Sequence, residues 1–227
     1  SKIRGGTHNG IVGSYNLIKH IKKFNFDKVF IFNSSLRYNL IVRGAGIKDI
    51  HQYPLFQKKN QHIINAAKIF LKKELGLQVE SDPKILINDQ LIMDAKSKYK
   101  IDSKEINILL GIGGSGPTKR IPAKIFIDFM KLATQKYNCK FFLATGKNIE
   151  EQKILLEILN TCYKDKCYAL DNLSLNEILP VIKNCNISIC NDSSFSHLSS
   201  GLGVKTIVLM SDTPLLYGSY SPRMYPI

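Results

Sequence analysis

The stretch Ile106-Asn-Ile-Leu-Leu-Gly-Ile-Gly-Gly-Ser-Gly-Pro-Thr-Lys-Arg-Ile-Pro122 passes from a short apolar, β-rich run through four glycines into helix-forming sequence. It predicts a strand over Ile106 to Ile112, a tight loop, and a helix over Pro122 to Gln135. Downstream the rhythm continues, with a strand over Lys140 to Ala144, helices over Glu150 to Leu159 and Leu175 to Asn184, and a strand over Ile187 to Cys190. A short helix over Phe195 to Gly201 and a strand over Thr206 to Met210 complete it. Short buried strands alternating with helices imply a parallel sheet covered on both faces. Ligands of such sheets gather at the carboxyl ends of the strands.

Upstream, Asp27 to Asn33 reads as a strand and Ser34 to Val42 as a helix, closed by Gly44 and Gly46. His62 to Leu75 is an amphipathic helix that stops at Gly76. Gln78 to Lys104 mixes Asp82-Pro83 with lysine-rich polar sequence and reads as the connection between two domains, residues 1–90 and 91–227.

A chain of 227 residues with 44% hydrophobic and 22% charged residues has enough apolar surface to build a sizeable core and is unlike a disordered one. The formal charge of +14 favours anionic partners, but its lysines are dispersed instead of clustered in a tail or basic helix. Aromatic residues sit mainly in apolar runs rather than among basic ones, which argues against an RNA-binding surface. Five cysteines without a Cys-x-x-Cys pair or a histidine cluster suggest neither zinc nor a disulfide framework. Cys185 and Cys190 lie in strand-like sequence as small buried hydrophobes, consistent with a reducing cytoplasm. No secretory signal opens the sequence, and no apolar run reaches the roughly 18 residues of a membrane span.

Two loops carry the candidate chemistry. After the first strand, the glycines permit close backbone approach, Ser115 and Thr118 offer hydroxyls, and the following helix start favours an anion that Lys119 can neutralise. The closing Gly-Lys-Ser/Thr of a P-loop is absent. The second is Asn191-Asp-Ser-Ser-Phe-Ser-His-Leu-Ser-Ser-Gly-Leu-Gly-Val-Lys-Thr-Ile-Val-Leu209. There Asp192 and Ser193 occupy the helix-capping position, and His197 follows one turn later. With no Gly-x-Ser-x-Gly elbow, Asp192, Ser193 and His197 are not a hydrolase triad.

Together with Ser211-Asp-Thr-Pro214, this second segment resembles the signature of the ADP-heptose:lipopolysaccharide heptosyltransferases, glycosyltransferase family nine. That pattern runs Asn/Val-Asp-Ser/Thr-Gly-x-x-His-Leu-Ala-Ala-Ala-Leu-Gly-x-Pro-Thr. Lys119 to Pro122 resembles the family's Lys-Arg-Trp-Pro element, Thr145 to Glu151 its Gly-x-x-x-Glu segment, and Asp27 to Ile47 part of its amino-terminal domain. Three positions depart from the pattern: Ser194 stands for glycine, Lys205 for proline and Ile121 for tryptophan.

The resemblance implies an α/β, GT-B-like protein, two Rossmann-like domains with parallel sheets facing a cleft, the amino-terminal one incomplete. It implies a metal-independent, inverting glycosyltransferase that moves a sugar, heptose in the family, from a donor such as ADP-heptose to a lipopolysaccharide-type or other glycan hydroxyl. No cofactor is implied, and no Asp-x-Asp metal motif occurs. By position, Ser115 and Lys119 would contact the diphosphate, Glu150 or its neighbour Glu151 the ribose, and Leu173 the adenine. Asp192, Ser193 and His197 would complete the donor site.

The family's general base, a carboxylate of the first strand–helix loop, is expected upstream, because Ser1 to Gly13 holds no Asp or Glu. The alternative reading is a non-catalytic nucleotide-sugar-binding relative. For an anionic glycan or glycolipid acceptor, Arg37 and Arg43 are the candidates among the nine Lys and Arg of Ser1 to Ile50, since they follow the Val29 to Phe32 strand. The expected location is the cytoplasm, with peripheral contact at the inner membrane left open.

Overall fold

The computed structural model describes residues 10–54, 62–80, 82–210 and 220–227. The chain divides into two compact units between Glu80 and Ser81.

In the first unit, α1 (Gly10–Lys22), β1 (Lys28–Ile31), α2 (Leu36–Gly44), β2 (Asp49–Gln52) and α3 (Ile63–Leu75) follow in order. β1 and β2 pair in parallel, Lys28 opposite Asp49 and Ile31 opposite Gln52. A small core of Ile31, Val42, Ala45 and Ile47 closes against Ile18 and Ile21 of α1. Gly44 lets the two helices touch, since a Cβ there would stand 2.9 Å from Ile18 Cδ1. Gly76 ends α3 in the left-handed region, φ 68°, its amide bonded to Lys72 O, as its place after the amphipathic run predicts.

The second unit contains α4 (Asp89–Lys98), β3 (Ile106–Gly111), α5 (Ala123–Lys136), β4 (Cys139–Ala144), α6 (Ile149–Leu159) and β5 (Cys167–Ala169). It continues with α7 (Leu175–Lys183), β6 (Ile187–Asn191), α8 (Ser194–Gly201), β7 (Lys205–Leu209) and β8 (Met224–Pro226). The strands form one parallel sheet in the order β5-β4-β3-β6-β7-β8.

Alternation along the strands feeds two cores. Ile108, Leu110, Phe141 and Leu143 pack with Phe126 and Met130 of α5 and Leu155 and Ile158 of α6. Leu109, Phe142 and Cys190 pack on the other side with Ala95 of α4, Val181 and Ile182 of α7, and Leu202. From β3 the order runs outward to β4 and β5, then returns to β6 on the other flank. The loops after β3 and β6 therefore diverge at the switch point where such sheets hold ligands.

The segment expected to be a plain connection, Gln78 to Lys104, holds α4 and, beyond Glu80, belongs to the second unit. Ile85 N donates to Gly201 O at 2.7 Å. Arg223 grips Asp82 through both terminal guanidinium nitrogens, at 2.6 and 3.2 Å. That hydrogen-bonded guanidinium holds the Asp82 carboxyl below its ordinary value. The division at Glu80 thus stands ten residues before the boundary expected after residue 90.

Candidate functional site

The loop after β3 is shaped by contacts that exclude side chains. Gly111 lies beside Cys190, whose Sγ would be 2.6 Å from a Cβ at that position. At Gly114 a Cβ would meet Lys119 O at 2.7 Å, so glycine is needed for the chain to fold back over itself. The 3-10 turn Pro117–Lys119 follows, closed by Lys119 N on Gly116 O at 3.1 Å.

This return brings Lys119 to the end of β6, 73 residues away, where its ammonium makes a short ion pair with the Asp192 carboxylate. The Asp192 side chain is 9% exposed and that of Lys119 28%. Asn191 ties the same two strand ends, its Nδ2 donating to Ile112 O at 2.9 Å. Asp192 is engaged by the lysine, and Ser193 takes the N-cap position of α8 without a side-chain capping bond. Its Oγ is buried and has no hydrogen-bond partner among the described residues. Ser196 N turns back onto Ser193 O at 3.2 Å, and the start of α8 carries the positive end of the helix dipole.

A second clasp comes from the loop after β4. Glu151, 9% exposed, accepts from Gly114 N at 3.0 Å and Gly146 N at 2.7 Å, with Thr145 Oγ1 at 3.3 Å. One carboxylate thus joins two glycine loops. Between them opens a cavity of about 420 Å³, lined by Gly113, Gly114 and Ser115, by Gly146 and Glu151, and by Ser193, Ser194 and Phe195 at the start of α8. Its walls offer backbone amides, three serines and a nearby ammonium, a set that fits a diphosphate. Its volume lies in the range of small-molecule sites.

Of the residues singled out in the sequence, Ser115 and Ser193 line the cavity, and Lys119 and Asp192 are paired beside it. His197 lies within electrostatic range of both, and burial holds its imidazole below the ordinary value. Its Nδ1 is 2.5 Å from Tyr220 Oη, and the two rings stack 10° from parallel.

Glu150 is placed differently from its neighbour. It is exposed at the start of α6 and paired with Lys153 at 2.8 Å, a bond that holds its carboxyl below the ordinary value. Glu151 is the member of this pair that reaches the cavity. Leu173 follows β5 and packs against the core that contains Leu170 and Ile178; it is absent from the cavity wall. Ser211 to Pro214 lies outside the described residues.

The two arginines of the first unit part company. Arg37, in the first turn of α2, stands near the carboxyl end of β1, and its Nε donates to Ser14 Oγ at 3.2 Å. Arg43 bonds Asn39 Oδ1 at 2.7 Å from the last turn. Six residues of helix separate them by about 9 Å along the axis. Because α2 runs back along the sheet, Arg43 lies toward the amino ends of the strands, not near the carboxyl end as its sequence position suggested. Lys2 and Arg4 of the same basic set fall outside the described residues.

Sequence reading missed two parts of this site, Glu151 as the clasp and Tyr220 as the partner of His197. The Gly146-to-Glu151 spacing was a visible signal for the first; nothing in the sequence pointed to the second.

Residues 14–224 match the family described as Glycosyltransferase family 9 (heptosyltransferase). The chain belongs to glycosyltransferase family 9. Among curated proteins, lipopolysaccharide heptosyltransferase 1 of Campylobacter coli is 26% identical over 144 residues, 62% of this chain. The matched part is 42% of that relative's length.

Among solved structures, the family 9 glycosyl transferase of Veillonella parvula superposes with a TM-score of 0.75 at 18% identity, covering 99% of this chain and 69% of that one. The ADP-heptose lipopolysaccharide heptosyltransferase II of E. coli gives 0.72 at 16% identity, covering 94% and 72%. E. coli heptosyltransferase WaaC, solved with ADP, gives 0.65 at 14% identity, covering 94% and 69%. These likenesses show the fold, the GT-B type of α/β architecture with parallel sheets. Among the described residues of this family 9 chain, no helix is long and apolar enough to cross a membrane.

Proposed function

We propose that this family 9 chain takes a sugar, heptose in the first instance, from a nucleotide-diphosphate donor such as ADP-heptose and delivers it to a hydroxyl of a lipopolysaccharide-type or other glycan acceptor. The observation that carries the proposal is the meeting of the β3 glycine loop, Lys119 and the uncapped start of α8 around one cavity at the switch point. In this reading Ser115, Ser193, the α8 amides and Lys119 hold the diphosphate.

Glu151 takes the ribose position in preference to Glu150, and Leu173 stands at the adenine end, past β5. Asp192 and His197 face the sugar and its phosphate. As the bond to the anomeric carbon breaks, charge develops on the leaving diphosphate, and donors fixed in advance stabilise it without a metal ion. Displacement in one in-line step inverts the anomeric centre.

ADP and ADP-heptose are expected to stabilise the chain against heat more than UDP or GDP. A ligand at about 100 times its Kd adds about 2.7 kcal/mol, or about 5–10 °C in the melting midpoint for a protein of this size. Equal shifts for the three nucleotides would remove the adenine assignment, and no shift with any of them would remove the donor site. Donor binding without sugar transfer would mark a nucleotide-sugar-binding relative instead of an enzyme.

On the acceptor side, Arg37 is proposed to meet an anionic group, because its place near the carboxyl end of β1 suits a ligand and that of Arg43 does not. Arg37→Ala should raise the acceptor KM severalfold and leave donor binding unchanged, with Arg43→Ala near wild type. Equal effects of the two substitutions would show general electrostatics and no specific contact.

A further inference from the structure

Tyr220 opens the last described segment of the chain, and neither the family resemblance nor the cavity assigns it a role. Its hydroxyl lies 2.5 Å from His197 Nδ1, and its ring is stacked on the imidazole at 5.4 Å. The contact is aimed at one nitrogen only. His197 Nε2 has no hydrogen-bond partner among the described residues, and the imidazole lies within electrostatic range of Lys119 and Asp192.

We infer that Tyr220 is a positioning residue that fixes His197 in the Nε2–H tautomer, so that the ring donates its single proton from Nε2 to an anionic oxygen of the donor. The inference rests on the donor-site reading above. A neutral imidazole has one N–H and one lone pair, and the bond made at one nitrogen dictates what the other can do. Burial keeps His197 toward its neutral form and keeps the Tyr220 phenol protonated. A neutral phenol can donate to Nδ1 or accept from it; in the inferred arrangement its O–H donates to Nδ1, and Nε2 carries the proton. In the opposite tautomer Nε2 would turn a lone pair toward a diphosphate, which is repulsive. Stacking sets the plane of the ring, and the hydroxyl sets which edge is the donor.

Tyr220→Phe keeps the ring and removes the hydroxyl. Nitrogen-15 NMR of the imidazole distinguishes its tautomers directly, in the same samples whose ADP affinity is measured at pH 8. Wild type should show one tautomer, protonated at Nε2. The variant should show a mixture, with the titration midpoint of His197 moved upward, because a bond that favours the neutral ring has been lost. ADP should bind about three- to tenfold more weakly, the range of one ordinary hydrogen bond, with the melting midpoint little changed.

His197→Gln places an amide donor close to the position of Nε2 without needing Tyr220. In that background Tyr220→Phe should cost nothing further in ADP affinity. Binding of ADP by wild type together with an Nδ1–H ring, or with an unaltered ring and affinity in Tyr220→Phe, would overturn this inference alone. Failure of wild type to bind ADP would overturn the donor-site reading and this inference with it.

Discussion

Lys119→Ala is expected to weaken ADP binding about 10- to 100-fold, the range of one or two charge-assisted hydrogen bonds in a partly buried site. Two effects add. The ammonium that would face the diphosphate is lost, and Asp192, 9% exposed and now unpaired, turns its full charge toward the incoming phosphates. The second effect gives the experiment its control. Lys119→Ala combined with Asp192→Asn should bind ADP more tightly than Lys119→Ala alone, because the stranded carboxylate is gone. Calorimetric titration at two salt concentrations checks both, since the wild-type affinity should fall more steeply with salt than that of either variant. If Lys119→Ala binds ADP like wild type, the lysine serves only as the partner of Asp192.

The second large effect is expected at Glu151. Its carboxylate is the acceptor for Gly114 N and Gly146 N, and alanine would leave both amides without a partner. The loss is about 2–4 kcal/mol of stability, about 5–15 °C in the melting midpoint, with a further fall in ADP affinity as the two glycine loops separate. Glu151→Gln retains one oxygen and should fall between. Glu150→Ala removes only the exposed ion pair with Lys153 and should lie near wild type. A stability for Glu151→Ala within about 0.5 kcal/mol of wild type, the range of a neutral surface substitution, would show that water replaces the clasp.

That adjacent pair shows where sequence reading stops. Two neighbours on a helix point about 100° apart, and nothing in Glu150-Glu151 says which turns back toward the glycine loops. The alternation from Ile106 to Leu209 was legible, apart from the three-residue, half-exposed β5, because fully buried parallel strands and amphipathic helices impose strong, different patterns. β2 and β8 were not. Asp49-Ile-His-Gln is short, polar and half-exposed, and Met224–Pro226 is a three-residue edge strand ending in proline. α4 escaped because Ala95 is its one buried residue, so its polar surface reads as linker. The loops around the cavity could be named from their glycines and caps. The pairing of Lys119 with Asp192 could not, because it depends on β6 returning to lie beside β3.

That return has a consequence for the order in which the protein is made. β3, β4 and β5 with the Glu151 clasp are complete once residue 169 has left the ribosome, and one edge of β3 then stands open. It stays open until β6 arrives, after α7 has been synthesised. Lys119 has no counter-ion until Asp192 follows, and the Asp82 carboxylate waits longer still for Arg223. The nascent chain thus carries its glycine loop above an unpaired strand, and the cavity beside Lys119 is completed only when the second half of the sheet closes on the first.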